Sequence, residues 1–119
     1  MATHNELGNQ GEQLAVEFLQ KNSYQILERN WRFKKAEVDI IAIKNEILAV
    51  IEVKTRSSNY FGNPQDFVNQ KKIQLLVEAI NEYVISKEID VEVRFDIIAI
   101  LKNKNDFKIE HLEDAFLHF

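Results

Sequence analysis

A chain of 119 residues, 45% hydrophobic and 29% charged, has the length of one domain, 1–119, and can bury roughly two-thirds of its unfolded surface. No apolar run approaches the roughly 20 residues that span a bilayer, and the absence of cysteine excludes disulfides and thiolate metal sites. A net charge of −4 speaks against a general nucleic-acid-coating protein, and the polar stretch from Met1 to Gln13 lacks the features of a secretory signal, so a cytoplasmic home is the default expectation.

The first predicted element is a helix over 6–21, with Leu7, Gly11, Leu14, Ala15, Phe18 and Leu19 on one face. Strands are expected over 24–33, 37–43 and 47–55, and the short link Lys44-Asn45-Glu46 makes the last two antiparallel neighbours. Gly62-Asn63-Pro64-Gln65-Asp66 reads as a helix start, with Asn63 as cap and Pro64 in the first turn. That helix should run to about Lys87, with Val68, Lys72, Leu75, Leu76, Ala79, Ile80 and Tyr83 inward. Residues 91–101 and 107–112 complete the strands, separated by the turn Asn103-Lys104-Asn105-Asp106. The order is αβββαββ, an α/β sandwich around a mixed sheet in which the second helix makes a crossover.

Charge is unevenly spread along this order. Residues 21–72 hold ten Lys/Arg against six Asp/Glu, and the remainder five against thirteen. Arg29, Arg32, Lys34 and Lys35 interleave with Trp31 and Phe33, which suits either a grip on a phosphate backbone or an ordinary solvated strand and turn.

Two strands carry charges where burial is expected. The run Ile47 to Thr55 is apolar on both faces along most of its length, as an interior strand is, yet Glu52 and Lys54 share one face at its end. Asp39 likewise heads a run that is apolar on both faces. Burying such charges costs several kcal/mol per ion, by a rough estimate, unless something compensates. Phosphodiester cleavage needs hard oxygen ligands for Mg²⁺ and positive charge near the phosphorus. Asp39 and Glu52 supply carboxylates, the Val53 carbonyl lies between them, and the Lys54 ammonium suits orientation of water or neutralisation of developing charge. A salt bridge from Lys54 to Glu52 or Asp39 is the structural alternative.

Glu37-x-Asp39 followed by Glu52-x-Lys54 resembles the PD-(D/E)XK nuclease superfamily. Further stretches are similar to one branch of it, the small bacterial YraN family, related to archaeal Holliday junction resolvases. They are Gly8-Asn9-Gln10-Gly11-Glu12-x-x-Ala15, Arg29-Asn30-x-Arg32, Glu37-Val38-Asp39-Ile40-Ile41, Glu52-Val53-Lys54-Thr55-Arg56, Phe61-Gly62-x-Pro64, Lys72-x-x-x-Leu76 and Arg94-Phe95-Asp96, with Ala115-Phe116 fitting the tail. The family's common Gly before Glu37 is Ala36 here, which speaks against a positive-φ turn at that point.

The resemblance implies a restriction-endonuclease-like core and nucleic acid as the substrate class, DNA first, at branched or non-standard structures. It adds Glu12 to Asp39 and Glu52 as ligands of one or two Mg²⁺ (or Mn²⁺) ions; read alone, Glu12 is a routine exposed helix residue. The carboxylates should converge within one ion's reach, or splay by mutual repulsion without it. Glu37 is either a supporting acid or solvated, and Lys72 either reaches the phosphate or snorkels to water. Arg94 and Asp96 share a strand face and read as a buried supporting pair. Arg29, Asn30, Arg32, Arg56 and Lys72 are the candidates for nucleic-acid contacts, while His4, His111 and His118 show no ligand spacing. Related resolvases act as dimers because a four-way junction has two-fold symmetry, so the resemblance makes a homodimer one expectation, while the sequence itself leaves the oligomer open. The alternatives are a catalytically silent nucleic-acid-binding module and a non-enzymatic adaptor whose charges form a structural network.

Overall fold

Helix α1, His4–Lys21, is followed by β1 (Gln25–Phe33), β2 (Ala36–Lys44), β3 (Ile47–Ser57), α2 (Gln70–Ser86), β4 (Glu92–Lys102) and β5 (Phe107–Leu112). The structure is a computed structural model that describes residues 4–57 and 69–115, with side chains from residue 6 onward. The expected helix start at 62–66 lies outside the described residues. Within them α2 begins after Asn69, whose side-chain oxygen accepts from the Lys72 N–H at 2.9 Å, a standard cap for an otherwise unsatisfied donor. No described helix is long and apolar enough to cross a membrane.

The five strands lie in the order β1-β2-β3-β4-β5. All neighbours are antiparallel except β3 and β4, which are parallel, so the connection through α2 is the crossover that the element order predicts. Each face of the sheet carries one helix. On one side Ala15, Val16 and Leu19 of α1 pack with Ile40, Ala49, Ile51 and Ile98; on the other Ile73, Leu76, Ile80 and Tyr83 of α2 pack with Val38, Leu48, Val50 and Ile97. The central strands are apolar on both faces because both faces are covered.

α1 sits unusually close to β3. A Cβ at position 11 would stand 1.9 Å from the Thr55 hydroxyl oxygen, so only glycine fits where the helix crosses the strand. At the β1–β2 turn the left-handed residue is Lys34, with φ 54°, and Ala36 is not among the positive-φ residues. The expectation drawn from Ala36 therefore stands, and the turn places its left-handed residue two positions earlier.

One irregularity positions the site. The β2–β3 ladder runs from Lys44↔Ile47 only as far as Ile40↔Ile51. Beyond it β2 continues with β1 to Ala36, and β3 continues with β4 to Ser57. The two strands part like a fork. Val38 and Ile41 pack on the same side despite their odd separation, so the period-two alternation breaks at the fork, where Asp39 stands.

Candidate active site

Asp39 fills the fork. Its Oδ2 accepts the Val53 N–H at 2.8 Å, a donor that a longer β2–β3 ladder would have paired with backbone. Burial pushes the Asp39 carboxyl up to about 7, the charge of Glu52 adds to the rise, and Glu12 adds more, against lowering by the Val53 hydrogen bond and by Lys72. Three acids therefore feel one another across the fork.

Each of the neighbouring acids has taken a cation or polar partner. Glu52, only 6% exposed, receives the Lys72 ammonium of α2 at 2.5 Å and that of Lys54 at 3.4 Å. Glu12 accepts from Asn30 Nδ2 at 2.9 Å and from Arg29 Nη2 at 3.5 Å, and Arg29 also reaches Gln13 at 3.1 Å. Asn30 makes its bond from a left-handed backbone, φ 53°, which asparagine tolerates better than most residues. Glu37 pairs with Arg32 at 2.7 Å. Arg56 donates to the Thr55 carbonyl at 2.9 Å.

Two hollows open at the fork. One, of about 340 Å³, lies under the start of α1 and is bordered by Gly8, Asn9, Glu12, Asn30, Glu37, Asp39, Lys54, Thr55 and Arg56. The other, of about 310 Å³, lies beside α2 and is bordered by Lys35, Ala36, Glu37, Asp39, Glu52, Lys72 and Leu75. They share Glu37 and Asp39, so the fork joins the two sides of the sheet. Asp39, Glu52, Lys54, Glu12, Glu37, Asn30, Arg56 and Lys72 thus border one continuous cleft, and Arg29 and Arg32 reach it through its acids.

The acids ring the cleft rather than meet at a point. Among the described residues no three of His, Asp or Glu are gathered closely enough to hold an ion. Glu12 is instead paired with Asn30 and Arg29, and Glu52 with Lys72 and Lys54. The donor set nevertheless fits a hard divalent cation, because its groups are carboxylate oxygens and the half-buried Asp39 carries more negative surroundings than its single N–H donor compensates.

Arg94 and Asp96 belong to a separate network on the α1 side of the sheet. Asp96 is fully buried and accepts from Arg94 Nε and Nη2, both at 2.9 Å, from His111 Nε2 at 2.8 Å and from the Asp114 N–H at 3.0 Å. Arg94 also bonds Tyr24 Oη at 2.6 Å and Glu113 at 3.2 Å. These contacts fasten the end of β5 and its following turn, so what the pair orients is that segment. His111, Tyr24 and Asp114 were not expected in it. Counting back from the 103–106 turn gives Ile98↔His111, which puts His111 on the Asp96 face and is the signal that would have found it.

Residues 11–100 match the model of a family described as "Uncharacterised protein family UPF0102". The chain is 66% identical to a UPF0102 protein of Flavobacterium psychrophilum over 119 residues, covering 100% of both. It is 63% identical to one of Christiangramia forsetii over the same full lengths. A UPF0102 protein of Parabacteroides distasonis is 45% identical over 116 residues, 98% of this chain and 96% of the relative.

Proposed function

This chain belongs to the UPF0102, or YraN, family, and on that premise we propose that it is a divalent-metal-dependent nuclease acting on nucleic acid, with DNA branched or otherwise non-standard in structure as the expected substrate. The observation that carries the reading is Asp39: a carboxyl raised to about 7 at the fork of a sheet, beside a buried Glu52 that faces two lysines. Perturbed carboxyls gathered at a cleft with cations beside them are characteristic of functional sites.

Asp39 and Glu52, with Glu12 from α1, would hold Mg²⁺ or Mn²⁺. Such an ion supplies Lewis acidity toward a phosphodiester oxygen and a more acidic bound water. Lys54 and Lys72 would bring positive charge to the phosphate once Glu52 no longer occupies them. Asn30 and Arg56 border the same cleft, Arg29 and Arg32 stand behind its acids Glu12 and Glu37, and together they would hold the flanking backbone. A two-fold-symmetric junction would engage a homodimer.

The self-pairing of Glu12, Glu37 and Glu52 favours one second reading, a silent binding module that keeps the fold and grips nucleic acid without cutting it. Cleavage of a panel of linear, flap and four-way-junction substrates with Mg²⁺ or Mn²⁺ separates the two. In the proposed enzyme, Glu52→Gln abolishes cleavage while binding survives or tightens, because a negative charge leaves a phosphate-facing cleft. Undiminished cleavage by a verified pure Glu52→Gln variant would place the chemistry elsewhere.

A further inference from the structure

A third hollow, of about 180 Å³, lies beside the cleft and is bordered by Phe33, Lys34, Lys35, Ala36, Leu75 and Glu78. It shares Lys35, Ala36 and Leu75 with the hollow that contains Asp39, Glu52 and Lys72. The two form one track from the carboxylates to the end of β1, an edge strand. The aromatic wall of this track is Phe33. Its ring stacks on Trp31, with 6.2 Å between centres and 6° between planes. Trp31 in turn stands edge-on to Tyr83 of α2 at 5.2 Å, which braces the pair from behind.

A braced, half-exposed aromatic beside two lysines offers a stacking face and positive charge together, the combination that single-stranded nucleic acid uses. The Lys34 ammonium stands 5.3 Å from the Phe33 ring centre and pairs with Glu78 at 3.2 Å. Both partners of that pair are mostly exposed, 69% and 57%, so it contributes little and is easily exchanged. A nucleobase offers a flat π-face to Phe33 whatever its identity, while the adjoining phosphate meets Lys34 and Lys35. Bases inside a duplex are already stacked on both faces and cannot do this without leaving the stack.

From this arrangement we infer that the Phe33 hollow is a nucleobase subsite, which receives an unpaired nucleotide flanking the phosphate seated at Asp39 and Glu52. The substrate is therefore single-stranded on that flank, as at a flap, a fork or an opened junction. The inference rests on the nuclease reading above and names its substrate more closely.

The test uses the full chain without divalent metal, so that nothing is cut. Short oligothymidylate and an abasic deoxyribose-phosphate strand of equal length are titrated, with Trp31, the one tryptophan of the chain, as the fluorescent reporter and strand anisotropy as the second readout. The thymidylate strand should bind roughly 5- to 150-fold tighter, the range for one stacked base, and should change Trp31 emission. Phe33→Leu, which keeps apolar bulk, should bring thymidylate affinity down to the abasic level and leave abasic binding unchanged, whereas Phe33→Tyr should keep the difference. Folding of both variants is checked by far-ultraviolet dichroism. Equal binding of both strands by the parent, or a difference that persists in Phe33→Leu, overturns the subsite but leaves the nuclease reading intact. Binding of neither strand at any salt concentration also overturns the subsite, and the nuclease reading then stands or falls on the cleavage panel above.

Discussion

Asp39 and Asp96 are both inward-facing aspartates on neighbouring parts of one sheet, and their surroundings treat them in opposite ways. Asp96 is fully buried yet takes hydrogen bonds from Arg94, His111 and the Asp114 N–H. Burial works against its charge, but the His111 and Arg94 bonds outweigh it and hold the carboxyl below its ordinary value. Arg94 is raised correspondingly by its Asp96 bonds. Asp39 is less deeply set, has one backbone donor, faces two other acids and is pushed up to about 7. The first arrangement is complete as it stands and has a structural product, the fastening of β5. The second leaves Asp39 with burial and two acids raising it against one backbone N–H and the charge of Lys72. Within one domain, the two aspartates differ in how fully hydrogen bonds compensate their burial, and on the proposed reading that difference separates charge that serves the fold from charge that serves chemistry.

The largest effect expected from that comparison comes from breaking the complete network. Asp96→Ala leaves the Arg94 guanidinium without its main partner and should cost about 3–5 kcal/mol of unfolding free energy. Asp39→Asn should be neutral or stabilising above pH 7, because it removes a repulsive charge from the fork. Urea titrations of both variants read the two signs directly. Equal losses would erase the distinction between the regions.

The pH dependence sharpens it. The folded Asp39 carboxyl titrates near 7 against an ordinary value of 3.8, so between these values the folded state holds more proton than the unfolded one. Stability from this group must therefore fall as pH rises through that window, by up to about 1.4 kcal/mol per unit. Asp96 is lowered from 3.8, so its contribution is present above that value and disappears as pH falls through the depressed folded value. Denaturation followed from acid to neutral pH should show the falling slope in the parent and a flatter one in Asp39→Asn, with the acid-side loss kept. A slope unchanged in Asp39→Asn would assign it to another group.

A smaller effect is expected at the helix crossing. Gly11→Ala places a methyl 1.9 Å from the Thr55 oxygen and forces α1 away from β3, at about 1–3 kcal/mol. Because Glu12 is the next residue, the cleft should suffer along with stability, while the Asp96 network on β4 and β5 keeps its contacts. Thr55→Ala in the same chain should restore part of the loss. Full tolerance of Gly11→Ala by thermal melting would show that the close approach is not required.

Much of this molecule is legible in its residues. The predicted strands 24–33, 47–55 and 107–112 lie within two residues of β1, β3 and β5, because apolar runs between strong turn signals leave little choice of boundary. The inner faces of the helices are also readable, although Val16 and Ile73 are buried without having been expected there. What does not follow from local pattern is the fork. Whether β2 and β3 stay paired past Ile40 depends on how two helices spread the sheet, and only that spreading gives Asp39 its bond to the Val53 N–H. Glu52 and Lys54 stand out as buried charges in a strand, but the choice of Lys72 as the nearer partner is made by the packing of α2. His111 has no neighbouring ligand-type residue in sequence, and its bond to Asp96 exists only through the β4–β5 register.

The central proposal is that the Asp39 cleft binds a divalent cation, and calorimetric titration of the full chain with Mg²⁺ or Mn²⁺ near pH 7 tests it most directly. Run in two buffers of different ionisation enthalpy, it reports binding and proton release together. Because Asp39 titrates near 7, binding should expel part of a proton per ion, and this release should shrink at about pH 8.5, where the carboxyl is already charged. Asp39→Asn should bind far more weakly and release none. No divalent binding by the parent, or binding and proton release that survive intact in Asp39→Asn, would contradict the account.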